Sequence, residues 1–374
     1  NLNHIGEAIL SEDEAERRLH MYLDSLADPC VEYVSVKISS ICSQINLIAK
    51  DETLKILKDR LRRLYRAAAK ERFTRPDGSV VTKFVNLDME EYRDLHLTME
   101  LFQSVLSEPE FFRFSAGLVL QAYLPDSYLI QQELTVWAMK RVAQGGAPIK
   151  IRLVKGANLA MERVESSLHS WRQAPYDQKI DVDANYKRML DYGTQPDHAR
   201  AARIAVGSHN LFDIAYAMLI REERSVAPHV SFEMLEGMAD HIRRTVFDIT
   251  GDILLYAPSA KRKEFVNAVS YLIRRLDENT ADDNFLRHSF DLEPGSPVWE
   301  EQVRLFSEAC NRVASVSHSP RRSLNRFDPP KTLEKDAPFA NDASTDWALE
   351  INQQWARRIL GEWHDKRIEP IACM

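Results

Sequence analysis

The 374-residue chain predicts an α/β fold, a distorted (β/α)8 barrel with a C-terminal linker or arm. Two observations carry that expectation. Short runs of strand character recur eight times between Asn1 and Ala257, separated by segments of helical period. The later strands close mostly on polar side chains, and a barrel of this kind gathers its working groups where strands meet the following loops.

The opening stretch, Asn1 to Gly6, is short and apolar enough for a strand, and Ser11-Glu12-Asp13-Glu14 has the form of a capping box that starts a helix through Leu19, Leu23 and Leu26. Tyr33-Val34-Ser35-Val36-Lys37 alternates as a strand and ends on a lysine; Leu54, Leu57, Leu61, Leu64 and Ala68 then share one helical face. Arg75-Pro76-Asp77-Gly78 is turn chemistry, so the polar stretch around it reads as a surface excursion before the third strand, Phe84-Val85-Asn86-Leu87-Asp88. A helix through Leu95, Met99 and Phe102 leads to the fourth strand, Leu118 to Ala122, which ends near Gln121; a helix from about Ser127 carries Leu129, Val136 and Ala143. Ile149 to Ala157 is the clearest strand, alternating apolar and basic before Gly156, where backbone can pass close to a ligand. Helices near Met161 to Trp171 and Tyr186 to Tyr192 precede the sixth strand, Arg203 to His209. Val230 to Leu235 is the seventh and Ile253 to Ala257 the eighth, stopped by Pro258.

The barrel is expected to fill residues 1–290. Residues 291–340 hold a helix near Val298 to Ala314 and a linker rich in Ser, Pro and Lys/Arg, whose Arg321, Arg322 and Arg326 read as a solvated loop. Residues 341–374 carry a helix from Trp347 to Trp363 with Leu349, Trp355 and Leu360. Both ends of the chain read as cut from something larger.

Composition narrows the function. At 44% hydrophobic and 28% charged the chain reads as a soluble globular protein, and no apolar run approaches membrane-spanning length, so a membrane is touched rather than crossed. A net charge of -7 argues against nucleic-acid binding. Cys30, Cys42, Cys310 and Cys373 are scattered, with no CxxC pair and no histidine at ligand spacing, which fits a reducing compartment and no metal. The twelve glycines form neither G-x-G-x-x-G nor G-x-x-x-x-G-K-[ST], so a nucleotide needs another kind of cradle.

Strand ends two to eight supply Lys37, Asp88, Gln121, Lys155, His209, Leu235 and Tyr256, a polar set with one apolar wall. The next segment, Tyr271 to Asn279, reads as a helix with adjacent guanidiniums, Arg274 and Arg275, and Glu278 at the i+4 and i+3 positions from which a carboxylate orients either one. Such a pair is a candidate clamp for a small carboxylate ligand, a solvated helix face being the plainer alternative. Coming after the eighth strand, the helix is placed to cross the rim.

With these motifs in view, the chain resembles the proline dehydrogenase family, most closely the proline dehydrogenase module of bifunctional bacterial proline utilization A flavoenzymes. Seven motifs in order carry the resemblance: Val34 to Ser39, Asn86 to Glu91, Ile151 to Ala157, Ser208-His209-Asn210, Phe232 to Met238, Tyr256-Ala257-Pro258 and Arg274 to Asn279. It implies non-covalent FAD at the barrel mouth, L-proline oxidised to Δ1-pyrroline-5-carboxylate, electrons passed to a membrane quinone, and a cytoplasmic protein with peripheral contact at the inner membrane. Arg274 and Arg275, with Glu278, are then expected to pin the proline carboxylate, Lys37, Asp88 and Tyr256 to complete the polar wall, and Leu235 to pack on the ring. The flavin is expected on Gln121, Arg152, Val154, Lys155, Gly156, Ala157 and His209, with Glu278 near both ligands; for Arg152 the alternative is a strand arginine paired with an acid. Residues 341–374 resemble the lead-in to the aldehyde dehydrogenase half of those proteins, the Δ1-pyrroline-5-carboxylate dehydrogenase partner. Two departures are visible: Gly156-Ala157-Asn158-Leu159 stands where many members read Gly-Ala-Tyr-Trp, and the run from Tyr256 to Arg274 is longer than in many relatives. The competing readings are a flavin-free barrel for another amino-carboxylate or a phosphate ligand, and a DNA-binding or regulatory module.

Overall fold

The computed structural model describes residues 1–5, 9–262, 265–281, 284–289, 292–329, 339 and 341–366. In chain order the strands are β1 (Leu2–His4), β2 (Tyr33–Lys37), β3 (Arg72–Thr74), β4 (Val80–Thr82), β5 (Phe84–Asp88), β6 (Gly117–Gln121), β7 (Ile149–Val154), β8 (Ala202–Gly207), β9 (Val230–Leu235) and β10 (Leu254–Ser259). All but β3 and β4 close one parallel barrel, in the order β1-β2-β5-β6-β7-β8-β9-β10 and back to β1. β3 and β4 form an antiparallel hairpin around the turn at Arg75–Gly78, the excursion the turn residues predict. The helices are α1 (Glu12–Ala27), α2 (Lys50–Lys70), α3 (Leu95–Leu106), α4 (Asp126–Ala143), α5 (Leu159–His169), α6 (Lys179–Gly193), α7 (Pro196–Ala201), α8 (Leu211–Glu223), α9 (Asp240–Thr250), α10 (Phe265–Thr280), α11 (Phe285–His288), α12 (Pro297–Arg312) and α13 (Glu350–Trp363).

Alternation sorts each strand into two faces. Val34, Val36, Leu87, Leu120, Ile151 and Leu153 point outward and are fully buried under the helices, each contributing about 1.5–3 kcal/mol of burial. The opposite positions line the inside, and there the register sets Ser35 opposite Asn86 and Lys37 opposite Asp88, polar beside polar, and Gln121 opposite Val154 and Leu235 opposite Tyr256, polar beside apolar. The helices follow their sequence signals where those are strong. Ser11 Oγ accepts the Glu14 amide at 3.2 Å and caps α1, and Leu57, Leu61, Leu64 and Ala68 of α2 are fully buried.

Three sequence expectations need correcting. On α4 the stripe through Leu129, Val136 and Ala143 faces outward, and the core is met one residue round, at Ile130, Leu134 and Ala138. Pro258 does not stop the eighth strand: β10 runs to Ser259, with Pro258 opposite Asn3. Successive amides of a strand face opposite neighbours, and Ala257 N donates to Asn1 O at 2.8 Å on the β1 side. The N–H that proline lacks would face β9 just past the last bond between the two strands, Glu236 N to Tyr256 O at 3.0 Å. Finally, Arg322 is no solvated loop residue; it is 4% exposed and buried against α5. Helices α8 and α9 lie in stretches where the sequence reading names none.

Between β5 and α3, Asp94 is buried, and its Oδ1 has no hydrogen-bond partner among the described residues although Arg93 Nε stands 3.8 Å away. Burial, against the weaker pull of Arg93, raises its pKa to about 7. The folded protein therefore holds a proton there that the unfolded chain releases above its ordinary value, and stability falls as pH rises from about 4 through 7. Asp94→Asn is expected to remove that slope, so that its stability matches wild type near pH 4 and exceeds it near pH 8 by on the order of 3–4 kcal/mol, read as a higher melting temperature. Parallel melting curves of the two proteins across that range check it.

Candidate active site

The carboxyl ends of the strands carry a chain of paired charges. Arg152 on β7 donates from Nη1 to Asp88 Oδ1 at 2.9 Å and from Nε to Glu233 Oε2 on β9. Lys150, two residues earlier and on the same face, reaches Glu233 Oε1 at 2.5 Å. Asp88 also accepts from Asn86 Nδ2 at 3.0 Å and, through Oδ2, from the Tyr256 hydroxyl at 2.8 Å, while the Arg152 guanidinium lies 5.2 Å from the centre of the Tyr256 ring. Burial alone would raise the pKa of Glu233, but Arg152 and Lys150 overcome it and hold the carboxyl at about 2. Burial, with Asp88 beside it, pushes the Tyr256 phenol well above its ordinary range, so the phenol keeps its proton and donates it to Asp88. Lys37 is paired with Glu90, which Ser39 Oγ also reaches at 2.8 Å.

Helix α10 turns one arginine inward. Arg275 is half-buried, its Nη1 donates to Glu278 Oε2 at 2.7 Å, and it lies 5.3 Å from the centre of the Tyr271 ring. Arg274 is exposed. The expected clamp thus resolves into one arginine held by Glu278 at i+3, with its neighbour at the solvent edge. Asn279 Nδ2 of α10 donates to Met238 Sδ in the loop after β9 at 3.9 Å, which sets the helix at the mouth, and Arg275 bears electrostatically on Tyr256 and on His209.

His209 accepts the Leu235 amide through Nε2 at 3.2 Å, which puts its ring proton on Nδ1. Burial, with Arg275 adding to it, lowers its pKa to about 4, so the ring is neutral across the physiological range. Its Nδ1 is buried with no hydrogen-bond partner among the described residues. Gln121 is similar: Nε2 donates to Met89 O at 3.3 Å, but among the described residues the buried Oε1 has no hydrogen-bond partner, and neither has Arg152 Nη2. Gly156 has φ +131°, and a Cβ there would stand 2.5 Å from Cγ of the Tyr123 side chain, so backbone and ring meet face on. Buried polar atoms left unpaired cost about 1–3 kcal/mol each, and their gathering on β6, β7 and the loop after β8 marks a place where a polar group from outside would satisfy them.

Of the candidate cofactor residues, Lys155 is the one already fully engaged. Its Nζ stands 2.5 Å from Asp183 Oδ1 and 2.6 Å from Asp213 Oδ2, in a buried network that continues to Lys179 and Lys187. Two partners escaped the sequence reading, Glu233 and Glu90. Both lie inside the quoted motifs, and Glu233 shares the inward alternation of Leu235, a signal that could have found it. Tyr271 was likewise read only as a helix residue.

These features define a (β/α)8 barrel with a charged mouth at the carboxyl ends of its strands and a helix-borne guanidinium over it. The proline dehydrogenase family profile matches residues 1–288, and the chain belongs to the proline dehydrogenase family. Among solved structures it is similar to Proline Utilization A (PutA) from Corynebacterium freiburgense, with TM-score 0.81 and 41% identity over 96% of this chain and 33% of that one. It is also similar to PutA from Bdellovibrio bacteriovorus inactivated by N-propargylglycine, with TM-score 0.77 and 31% identity over 97% of this chain and 36% of that one. The Bifunctional protein PutA of Escherichia coli is 24% identical over 278 residues, 69% of this chain and 19% of its own length. The chain thus spans about a fifth of that relative and about a third of the two solved chains.

Proposed function

We propose that the chain is the FAD-dependent proline dehydrogenase module of a longer bifunctional protein, oxidising L-proline to Δ1-pyrroline-5-carboxylate as the first step of proline catabolism. The observation that carries the reading is Arg275, held by Glu278 over a mouth whose other charges are already matched. Glu278 takes one Nη of the guanidinium, and the rest of the fork suits a carboxylate. Leu235, half-buried on the inward face beside Tyr256, offers the apolar surface a pyrrolidine ring needs and keeps water from it. Tyr256, Asp88 and Lys37 form the polar wall. Tyr256 bound to Asp88 gives that wall a fixed shape, since neither group can turn without losing the hydrogen bond.

The unpaired Gln121 Oε1, Arg152 Nη2 and His209 Nδ1 fit a flavin. Val154 and Ala157 would add backbone on either side of Lys155 and Gly156, and Arg152 would set positive charge beside it. When bound, FAD would supply a two-electron acceptor for oxidation at the carbon beside the ring nitrogen, with a membrane quinone as the final acceptor. The protein's part is to fix the carboxylate, orient the ring and exclude water. The bifunctional relatives support a Δ1-pyrroline-5-carboxylate dehydrogenase domain as the partner, with residues 341–374 as the lead-in to it after a linker at 291–340, in a cytoplasmic protein touching the membrane only to meet its quinone.

The protein loaded with FAD is expected to be yellow and to lose its visible flavin absorbance on anaerobic addition of L-proline. A protein that binds FAD and is untouched by proline would end the proposal.

A further inference from the structure

Arg322 stands between α12 and α13 in a segment without regular secondary structure, yet it is 4% exposed. Its guanidinium lies between two rings, 4.9 Å from the centre of Tyr92 and 4.6 Å from that of Trp171. Nη2 stands 3.5 Å from Glu162 Oε2 and 3.3 Å from Ser166 Oγ, and Nη1 stands 3.5 Å from Asp346 Oδ2. A cation so far from water needs acceptors for its donors, and here it has two carboxylates, both themselves buried. The arm carrying Arg322 is stapled in place independently. Asn352 donates to Leu324 O at 2.9 Å and to Asp346 O at 2.8 Å, and Ser344 accepts through its carbonyl from Trp171 Nε1 at 2.6 Å.

Glu162 is the partner with consequences for the mouth. It lies in the first turn of α5, just beyond Gly156 and Ala157, and its Oε1 accepts the backbone N–H of Tyr92 at 2.7 Å. Tyr92 closely follows Glu90, the partner of Lys37, and its hydroxyl donates to Asp126 Oδ1 at 3.0 Å at the start of α4. One carboxylate therefore joins the loops after β5 and β7, and through Tyr92 the loop after β6. Burial leaves the pKa of Glu162 raised, the Tyr92 amide and then Arg322 opposing it only in part.

We propose that Arg322 is a positioning residue for the barrel mouth: its charge and its stack between two rings hold Glu162 on the Tyr92 amide, and so hold the loops after β5 and β7 in the arrangement that receives flavin and substrate. The functional half of this rests on the flavin reading above; the structural half does not.

Hydrogen exchange of the segments 89–95 and 157–165 tests it. In Arg322→Met both segments are expected to exchange about tenfold faster than in wild type, because a buried carboxylate without its cation no longer holds the Tyr92 amide. Adding Glu162→Gln is expected to restore protection, since a neutral amide carbonyl accepts the same N–H and needs no cation. Affinity for FAD should fall and recover in the same order. Wild-type exchange in Arg322→Met, or a double variant exchanging as fast as the single one, overturns the proposal, because loss of packing alone would not be repaired at Glu162. Should Arg322→Met be too unstable to purify, Arg322→Lys keeps the charge but loses the reach to both carboxylates. It is expected to show roughly threefold faster exchange, and wild-type exchange in it would be equally fatal. A wild-type protein that binds no FAD would defeat the flavin reading while the exchange data still decide the role of Arg322.

Discussion

Arg152→Met is expected to destabilise the protein by about 3–5 kcal/mol, seen as a fall in Tm of roughly 10 °C, and to weaken FAD binding with it. Arg152 is the cation between two carboxylates, Asp88 and Glu233, and all three are nearly out of water. Removing one partner of a buried pair leaves charge that water cannot reach, which is the costly case, whereas removing matched partners together is often tolerated. Lys150 would still serve Glu233, but Asp88 would keep only Asn86 and the Tyr256 hydroxyl. The loss should therefore fall on Asp88, and Arg152→Met combined with Asp88→Asn is expected to recover part of the stability. A thermal melt of Arg152→Met that matches wild type would mean that the network contributes nothing to the fold.

The second large effect is expected at Arg275. Arg275→Met should weaken apparent proline affinity by about tenfold to a hundredfold, the worth of a charged pair of hydrogen bonds shielded from water, while FAD stays bound. Anaerobic titration of the flavin band with proline measures it. Arg274→Met is expected to do less, because Arg275 is the arginine that Glu278 holds inward and that bears on His209 and Tyr256, while Arg274 is exposed. Equal losses in the two variants would show that the clamp uses both arginines as a unit; no loss in either would remove it.

Adjacent arginines were legible in the sequence, but which of them faces the mouth was not. Spacing allows Glu278 to orient either one, and the choice depends on how α10 rolls as it crosses the barrel. The strands show the same division. β2, β5 and β9 have the bounds that their alternation predicts, because turn residues or helix starts flank them closely. β10 runs past Pro258 since the missing amide faces a position where β9 has ended, a fact of register rather than of local sequence.

Within the site, Lys37, Asp88, Gln121, Leu235 and Tyr256 could be named in advance because a period of two assigns them to one face, whereas Lys155 and His209 lie past the ends of β7 and β8. The partners of those residues could not. Glu233 meets Arg152 only when β9 comes round to β7 with β8 between them, and Glu90 meets Lys37 only when β5 pairs with β2. Arg322 is the extreme case. A basic run in an irregular segment reads as solvated until the two rings and two carboxylates that bury it arrive from distant parts of the chain.

The central claim is geometric, and a crystal structure of the protein with FAD and a cyclic carboxylate that cannot be oxidised tests it most directly. The predicted result is the carboxylate on the Arg275 fork with Leu235 against the ring, and the flavin on Gln121, Arg152 and His209. A carboxylate bound away from α10, or a flavin outside the barrel mouth, would contradict it.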